Sequence, residues 1–296
     1  MEDYHKPVMA EEVLSFIKEV PAGLLVDCTL GGAGHAARML DARPDCELLG
    51  IDRDQDAIKE SKERLLKFQG RYTIEQGSFE EVAEILKSSA YKDMKVVGML
   101  FDLGISSKQI DVPSKGFAYR FANAPLDMRM DATQHLTAAI ILSSYTEREL
   151  ADVIFRYGEE RKSRQIAKSI VNKRRTAPLE TAQDLIDCII KSLPTGFRKN
   201  SSIKRVFQAI RMEVNRELPA LANSLEESVH VMSQGGRVMV MSYHSLEDRM
   251  VKRFIYEKQN QGVFKNLTKK PLIASDEETA ENPRARSAKL RVAEKV

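Results

Sequence analysis

The sequence predicts an α/β fold, a doubly wound Rossmann-like parallel sheet with an inserted all-helical domain. Two observations lead to this prediction. Between residues 24 and 102, short apolar runs alternate with amphipathic segments, which is the pattern of consecutive βαβ units. From about residue 136 to 199 the pattern becomes helical only, and the α/β pattern then resumes. The predicted parts are therefore 1–105 and 201–296 for the sheet domain, with 106–200 as an inserted loop and helical domain.

Each element of the predicted sheet has its own stretch of sequence. Four strands are expected at LLVDCT, CELLGIDRD, YTIEQG and VVGMLFDLG, with helices at GHAARMLDA, QDAIKESKERLLKF and FEEVAEILKSS between them. A fifth strand is expected at GGRVMVMSYHS, followed by the helix LEDRMVKRFIYEK. The segments GVFKNLTKK and SAKLRVAEKV predict a closing antiparallel pair.

The predicted insertion begins with a long loop rich in Pro, Gly and Asp. It continues as the helices TAAIILSSY, TERELADVIFRYG, EERKSRQIAKSIVNKRR and TAQDLIDCIIKSL. Thr146 and Thr181 stand directly before two of these helices, where N-cap residues are favoured.

Composition narrows the class of protein. The 296 residues are 43% hydrophobic and 30% charged, and no apolar run approaches the ~20 residues of a membrane span. Three cysteines without CxxC spacing and five histidines without ligand spacing argue against disulfides and against a metal site, so we expect a reduced, cytoplasmic protein. The net charge is only +3, but basic clusters in the insertion and in the C-terminal tail favour a polyanionic partner.

A glycine loop after the first strand indicates a nucleotide-like cofactor. Gly32, Gly34 and Ala37 have dinucleotide-loop spacing, and Asp52 follows at about the expected distance of ~20 residues. However, Asp27 and Asp102 also end strands at the same predicted edge. A carboxylate close to a pyrophosphate costs roughly 4 kcal/mol at about 4 Å, whereas the sulfonium and ammonium groups of S-adenosyl-L-methionine are attracted. The acids therefore favour S-adenosyl-L-methionine over a nicotinamide cofactor.

Further candidates follow the fourth and fifth strands. Ser106, Ser107 and Gln109 come just after Asp102, where a reacting group meets the cofactor in such folds. His244 ends the fifth strand, and Ser245 is the expected N-cap of the next helix. The segment PLDMRMD is either an internal salt-bridge turn or a substrate-positioning element. A Ser–His–Asp hydrolase is not supported, because there is no GxSxG elbow.

Taken in order, the motifs closely resemble one family, the MraW/RsmH-type small-subunit ribosomal RNA (cytosine-N4) methyltransferases. They are HKPVMAEEV, DCTLGGAGH, GIDRD, DLGISSKQID, GFAYR, PLDMRMD, YGEERKSRQIA, FQAIRMEVNREL, GGRVMVMSYHSLEDR, TKKP and NPRARSAKLR. Four places depart from the family's usual pattern: Ala33 stands in place of a frequent Gly, Lys108 in place of Pro, Tyr243 in place of Phe, and NSSIKRVFQA in place of a stretch that commonly contains His before FQA.

The resemblance implies methyl transfer from S-adenosyl-L-methionine to N4 of a cytosine in the decoding region of small-subunit rRNA. It implies that Ala33, Gly34 and His35 contact the cofactor in the glycine loop. It also implies that Asp52 binds the ribose, that Phe79 lies near the adenine, and that Asp102 and Gln109 lie at the reacting end. The expected partner is small-subunit rRNA or the assembling small ribosomal subunit, contacted by the basic insertion and the C-terminal tail.

The chemistry of a cytosine amine adds a hypothesis about the catalytic residues. The amine is a poor nucleophile, so the enzyme must extrude the base and accept a hydrogen bond from N4. Asp102, Ser106 or a backbone carbonyl is the expected acceptor, and His244 or Ser245 is expected to help hold the base. Two alternatives stay open: a non-catalytic RNA-binding or ribosome-assembly factor with this fold, and a nicotinamide-dependent oxidoreductase.

Overall fold

A computed structural model describes residues 7–194 and 197–296 of the chain. His5 of the HKPVMAEEV motif lies outside the described residues. The chain divides into two compact units, one running up to Gly104 and again from Leu218, the other Ile105–Glu217. In the described ranges, no helix is both long enough and apolar enough to cross a membrane.

The first unit contains one seven-stranded sheet. Its strands are β1 (Leu24–Asp27), β2 (Glu47–Asp52), β3 (Tyr72–Gln76), β4 (Val96–Asp102), β5 (Met232–Ser242), β6 (Phe264–Asn266) and β7 (Lys289–Lys295). Their order is β3-β2-β1-β4-β5-β7-β6, with the first five parallel and β7 antiparallel to both neighbours. The predicted doubly wound sheet and its closing antiparallel pair are confirmed.

Helices cover both faces of this sheet. They are α1 (Ala10–Ile17), α2 (Gly34–Ala42), α3 (Gln55–Arg64), α4 (Val82–Ser88), α11 (Glu217–Val231), α12 (Ser245–Asn260) and α13 (Asp276–Glu281). Because side chains alternate along a strand, neighbouring residues serve different cores. Leu25 of β1 packs with α1 and α2, whereas Leu24 and Val26 pack with α4, α11 and α12. Strands buried on both faces explain the continuous apolar runs in the sequence.

The second unit is helical. It contains α5 (Ser107–Asp111), α6 (Ala138–Ser144), α7 (Glu147–Gly158), α8 (Ser163–Arg174), α9 (Ala182–Ser192) and α10 (Lys199–Val214), around a core of its own. Thr146 and Thr181 cap α7 and α9 with capping boxes, as the sequence predicted. A stripe of small and branched apolar side chains from α7 to α10 fills this core.

The return to the sheet unit comes later than the sequence indicated. The predicted boundary was residue 201, but α10 belongs to the helical unit, which ends at Glu217. The reason is that Val206, Phe207 and Ile210 of α10 are buried in the helical core rather than on the sheet. An amphipathic helix has the same periodicity whichever core it packs against, so its sequence does not identify its partner.

Gly116, in the GFAYR motif, is a position where only glycine fits. Its φ is +72°, and a Cβ there would lie 2.1 Å from the backbone O of Pro125. We expect Gly116→Ala to lower the free energy of unfolding by about 3 kcal/mol or more, through strain and a backbone clash. The control is Gly70→Ala, where φ is +87° but no atom lies within 4 Å. That variant should lose only about 1 kcal/mol, and equal losses in urea unfolding would contradict the steric argument.

Candidate cofactor-binding and active site

Three carboxylates lie at the carboxyl edge of the sheet. β1 is flanked by β2 and β4, and its last residue, Asp27, is in register with Gly50 of β2 and Leu100 of β4. Asp52 and Asp102 end β2 and β4. Ligands of doubly wound sheets bind at this edge, where the strand order reverses.

Asp52 organises the glycine loop between β1 and α2. Its Oδ2 accepts the backbone N–H of Gly31 at 2.7 Å, and its Oδ1 accepts the N–H of Asp54 at 2.8 Å. Gly31 and Ala33 both adopt left-handed backbone conformations, with φ of 52° and 57°. Ala33 is the N-cap of α2 and offers no side-chain cap. The turn thus leaves the start of α2, at Gly34 and His35, without a capping side chain.

Asp102 is held by two neighbours in the same unit. Its backbone N–H donates to Thr29 Oγ1 at 2.6 Å, and its Oδ1 accepts the phenolic O–H of Tyr243 at 2.7 Å. Burial raises the pKa of Asp102 to about 6, while the Tyr243 hydrogen bond opposes that rise. The carboxylate is therefore fixed in direction and mainly ionised at neutral pH.

His35 stands beside this carboxylate at the start of α2. Its Nε2 is 3.8 Å from Asp102 Oδ2, and within the described part of the chain this buried nitrogen has no hydrogen-bond partner. Burial lowers the pKa of His35 to about 4, so the ring is neutral at physiological pH. A buried nitrogen without a hydrogen-bond partner, at the carboxyl edge of the sheet, is what we expect where a polar ligand supplies the missing hydrogen bond.

Asp27 is the most deeply buried of the three acids. Burial, together with the negative charges of Asp102 and Asp52, raises its pKa to about 7, although a hydrogen bond from Thr29 N–H opposes this. Burial also raises the pKa of Asp52. Among residues 7–194 and 197–296, none of the three carboxylates forms an ion pair with Lys or Arg. The donor set fits a cofactor that carries positive charge and not a pyrophosphate.

Phe79 lies just beyond the end of β3, in the turn that leads to α4. Its ring packs edge-on against Phe101 of β4, with centroids 5.8 Å apart, and the Arg53 guanidinium lies 5.5 Å from its centroid. Arg53, which follows Asp52, also donates to the Ser78 hydroxyl. Asp52 is thus a polar group at the end of β2, and Phe79 is an apolar group beyond the end of β3. These are the two residues that the family resemblance assigns to the ribose and the adenine.

The cap at the start of α12 is His244 and not Ser245. The prediction of Ser245 as N-cap is wrong by one residue, because His244 is the N-cap and Ser245 begins the helix. His244 Nδ1 accepts the backbone N–H of Glu247, and the Glu247 carboxylate accepts the N–H groups of Tyr243 and His244. The His244 imidazole and the Glu247 carboxylate together accept backbone N–H groups at the start of the helix, the task that the prediction gave to the Ser245 hydroxyl.

Ser106 and Gln109 lie in the helical unit. They form a capping box at the start of α5, in which Ser106 N–H donates to Gln109 Oε1 at 3.0 Å and Gln109 N–H donates to Ser106 Oγ at 3.2 Å. Each therefore has a structural role, and their predicted contact with cofactor or substrate stays a prediction. In PLDMRMD, Arg129 makes a two-pronged pair with Asp127 and donates to two backbone carbonyls, which is the salt-bridge-turn alternative.

Tyr243 and Thr29 are the site residues that the sequence reasoning missed as contacts of Asp102. In the sequence, Tyr243 stands out only as a departure from a family pattern, and Thr29 is one residue of the DCTLGGAGH motif. Hydrogen bonds across 141 and 73 residues leave no periodic trace in a sequence. The one available signal was position, because Tyr243 directly follows β5 and Thr29 lies two residues after the end of β1, at the same edge of the sheet.

The sheet order and the carboxylate edge define a class, the Rossmann-like class I methyltransferases, here with a helical insertion. The chain belongs to the MraW methylase family, whose model matches residues 2–296. This agrees with the predicted cofactor, S-adenosyl-L-methionine.

Two relatives illustrate the match. The chain is 41% identical to the ribosomal RNA small subunit methyltransferase H of Fusobacterium nucleatum, over 99% of this chain and 98% of that protein. It is 39% identical to the protein of the same name in Sulfurihydrogenibium azorense, over 99% of each. A solved rRNA methylase from Streptococcus thermophilus aligns with 98% of both chains at a TM-score of 0.46 and 9% identity.

Proposed function

We propose that this protein transfers a methyl group from S-adenosyl-L-methionine to the exocyclic N4 of a cytosine in the decoding region of small-subunit rRNA. The observation that carries the proposal is the set of three carboxylates without cationic partners around the glycine loop, in a chain of a methylase family. The names of the relatives support small-subunit rRNA as the substrate class.

S-adenosyl-L-methionine supplies an electrophilic methyl group on a positively charged sulfur. Asp27 attracts the cationic end, and Asp52 accepts hydrogen bonds from the ribose hydroxyls. The turn at Gly32, Ala33 and Gly34 lets the backbone come close to the cofactor, since small residues leave room. Phe79 provides an apolar surface for the adenine, with Arg53 on its ring.

Asp102 performs the step that makes the amine reactive. The lone pair of a cytosine amine is delocalised into the ring, and it localises on N4 when an N–H donates to a strong acceptor. An ionised carboxylate with a pKa of about 6 is such an acceptor at neutral pH, and it can take the proton that N4 loses as the N–CH₃ bond forms. The His35 ring beside it is uncharged at physiological pH, so it does not weaken Asp102 as an acceptor by pairing a positive charge with the carboxylate.

Other predicted residues complete the proposed site. His244 and Ser245, at the start of α12, help hold the extruded base, and Ser106 or a backbone carbonyl shares the acceptor role with Asp102. Gln109 contributes at the reacting end of the cofactor. The helical insertion and the C-terminal tail contact the phosphate backbone of the rRNA or of the assembling small subunit.

Tyr243 tunes this acceptor. Its hydrogen bond lowers the pKa of Asp102, so Tyr243→Phe should raise that pKa and move the acidic limb of the pH–rate profile to higher pH. The loss of one hydrogen bond predicts a rate reduced roughly 3- to 10-fold at pH 6. At pH 8.5, where Asp102 is ionised in both proteins, the difference should shrink. Tyr256→Phe, an exposed tyrosine of α12, is the control. An unchanged pH–rate profile of Tyr243→Phe would refute the claim that Tyr243 lowers the pKa of Asp102.

The direct test is product identification with the purified full-length protein. It is incubated with methyl-labelled S-adenosyl-L-methionine and either small subunits that lack the N4-methyl group or protein-free small-subunit rRNA. The labelled nucleoside is then separated chromatographically. The proposal predicts N4-methylcytidine, whereas label in C5-methylcytidine or in another base would overturn it.

The non-catalytic alternative differs in one measurable property. An assembly factor that has lost turnover has no need to retain three desolvated carboxylates without cationic partners, because desolvating ionised groups destabilises a fold. Isothermal titration of the protein with S-adenosyl-L-methionine separates the two candidates. No heat of binding at pH 8 would favour the assembly factor.

A further inference from the structure

A groove in the helical unit has the chemistry of a nucleotide site. We call it the Phe155 groove; it lies where α7 ends and α8 begins, and it has a volume of about 380 Å³. Its walls include Phe155 and Asp152 from α7, and Arg161, Lys162, Ser163 and Arg164 from the turn and the first residues of α8. All of these residues belong to the helical unit, and none is one of the carboxylates described above.

Phe155 is unusual because its ring faces water. It is 59% exposed, and it is the only exposed phenylalanine in the described ranges. The opposite face of α7 is buried through Leu150, Val153 and Ile154, so Phe155 contributes little to the core. Proteins that bind single-stranded nucleic acid stack bases on aromatic side chains within positively charged grooves, and Phe155 offers such a ring.

The cations at this groove have no internal partners. Arg161 and Arg164 are exposed, and neither they nor Lys162 form a side-chain hydrogen bond or ion pair with any described residue. By contrast, Arg174, at the end of α8, donates to the backbone oxygens of Leu142 and Tyr145. The structure therefore separates arginines that hold the unit together from arginines that are left for a ligand.

The nearby acids only partly cancel this positive charge, because Asp152 and the exposed Glu159 supply two negative charges against the three positive charges of Arg161, Lys162 and Arg164. Asp152 Oδ2 lies 4.0 Å from Arg148 Nε, one turn earlier on α7. Glu160 is fully buried, and its carboxylate accepts from Arg205 and from the backbone N–H of Lys162. Lys168 and Arg175 add further exposed positive charge along α8. The groove consequently combines an aromatic face with a net positive rim.

We propose that the Phe155 groove binds an unpaired nucleotide of the rRNA substrate, other than the cytosine that reacts. The base stacks on the Phe155 ring, and its phosphates lie against Arg161, Lys162 and Arg164. A free anion would leave the aromatic ring unused, and duplex RNA would not offer a base face, so a single-stranded segment suits both features. The inference rests on the proposed function only in that rRNA supplies the nucleotide.

The test measures, without any cofactor, how tightly the full-length protein binds a fluorescent single-stranded RNA oligonucleotide, a fluorescent RNA duplex and assembled small subunits. Phe155→Ala should weaken binding roughly 10-fold, because one stacked base is lost, and Phe155→Trp should restore it. Arg164→Ala should also weaken binding and lower the slope of log K against log salt, which Phe155→Ala should leave unchanged. Tyr256→Ala, at another exposed aromatic residue, and Lys62→Ala, at an exposed lysine, are the matched controls.

Three outcomes would overturn the inference. One is wild-type affinity of Phe155→Ala for the single strand. The second is that Phe155→Ala weakens the binding of single-stranded and duplex RNA equally, which would show that no unpaired base stacks on Phe155. The third is a defect confined to assembled subunits, which would point to a protein contact. Because this binding assay needs no methyl transfer, it separates the two proposals: Phe155-dependent RNA binding without N4-methylcytidine would refute only the proposed function.

Discussion

Asp102→Asn is expected to reduce kcat for methyl transfer roughly 10²- to 10³-fold, because the acceptor for the N4 proton loses its charge. The amide has nearly the same shape and can still accept the Tyr243 hydroxyl, so the fold should persist. Since burial raises the pKa of Asp102 to about 6, removing the negative charge should not lower the free energy of unfolding at pH 8. The measurements are steady-state methylation of small subunits and urea unfolding.

The matched control is Asp41→Asn, on an exposed carboxylate that pairs with Lys67 on the surface. It should leave the rate unchanged, since exposed ion pairs contribute little. If Asp102→Asn kept both its affinity for S-adenosyl-L-methionine and its methylation rate, the role of Asp102 would be refuted. A loss of rate accompanied by unfolding would not count as support, which is why the unfolding measurement belongs to the experiment.

Asp27→Asn is expected to change binding and stability in opposite directions. Its affinity for S-adenosyl-L-methionine should fall roughly 10- to 100-fold at pH 8, because a buried negative charge opposite a cation is lost. In the protein without ligand, burial raises the pKa of Asp27 to about 7, so ionisation destabilises the fold as pH rises from its ordinary pKa of 3.8 through 7. Removing that charge should therefore raise the free energy of unfolding at pH 8 by up to about 4 kcal/mol, the equivalent of the shift in the pKa of Asp27.

The pH dependence supplies the control for this variant. At pH 5 Asp27 is protonated in the native wild-type protein but is still mostly ionised in the unfolded chain, so the gain in stability should fall by more than half and should vanish only below its ordinary pKa of 3.8. Wild-type affinity for S-adenosyl-L-methionine should itself fall as pH decreases through about 7 and then about 6, when Asp27 and Asp102 become neutral. Equal stabilisation of Asp27→Asn at pH 5 and pH 8, or tighter binding of the cofactor, would contradict the electrostatic account.

The strands and the positions of the three acids at their carboxyl ends could be predicted because their signals are local. An apolar run such as residues 24–26, followed by Asp27, indicates both a buried strand and the side chain at its carboxyl end. The glycine loop and Asp52 were likewise readable from spacing, and Gly31 N–H does donate to that carboxylate.

What could not be predicted depends on contacts distant in sequence. The partner of α10 was misjudged because Phe207 would suit either core. The N-cap of α12 was placed at Ser245 because hydroxyls are the common caps, whereas the Glu247 carboxylate and His244 imidazole cap it together. The Tyr243–Asp102 hydrogen bond required the register of β4 beside β5. That register cannot be predicted from the composition of the sequence or from its hydrophobic periodicity.

The central claim is tested most directly by nucleoside analysis of small-subunit rRNA from a strain that lacks this gene. The account predicts that N4-methylcytidine in the decoding region is lost, that the wild-type gene restores it, and that the Asp102→Asn gene does not. N4-methylcytidine retained at that site in the deletion strain would contradict the account.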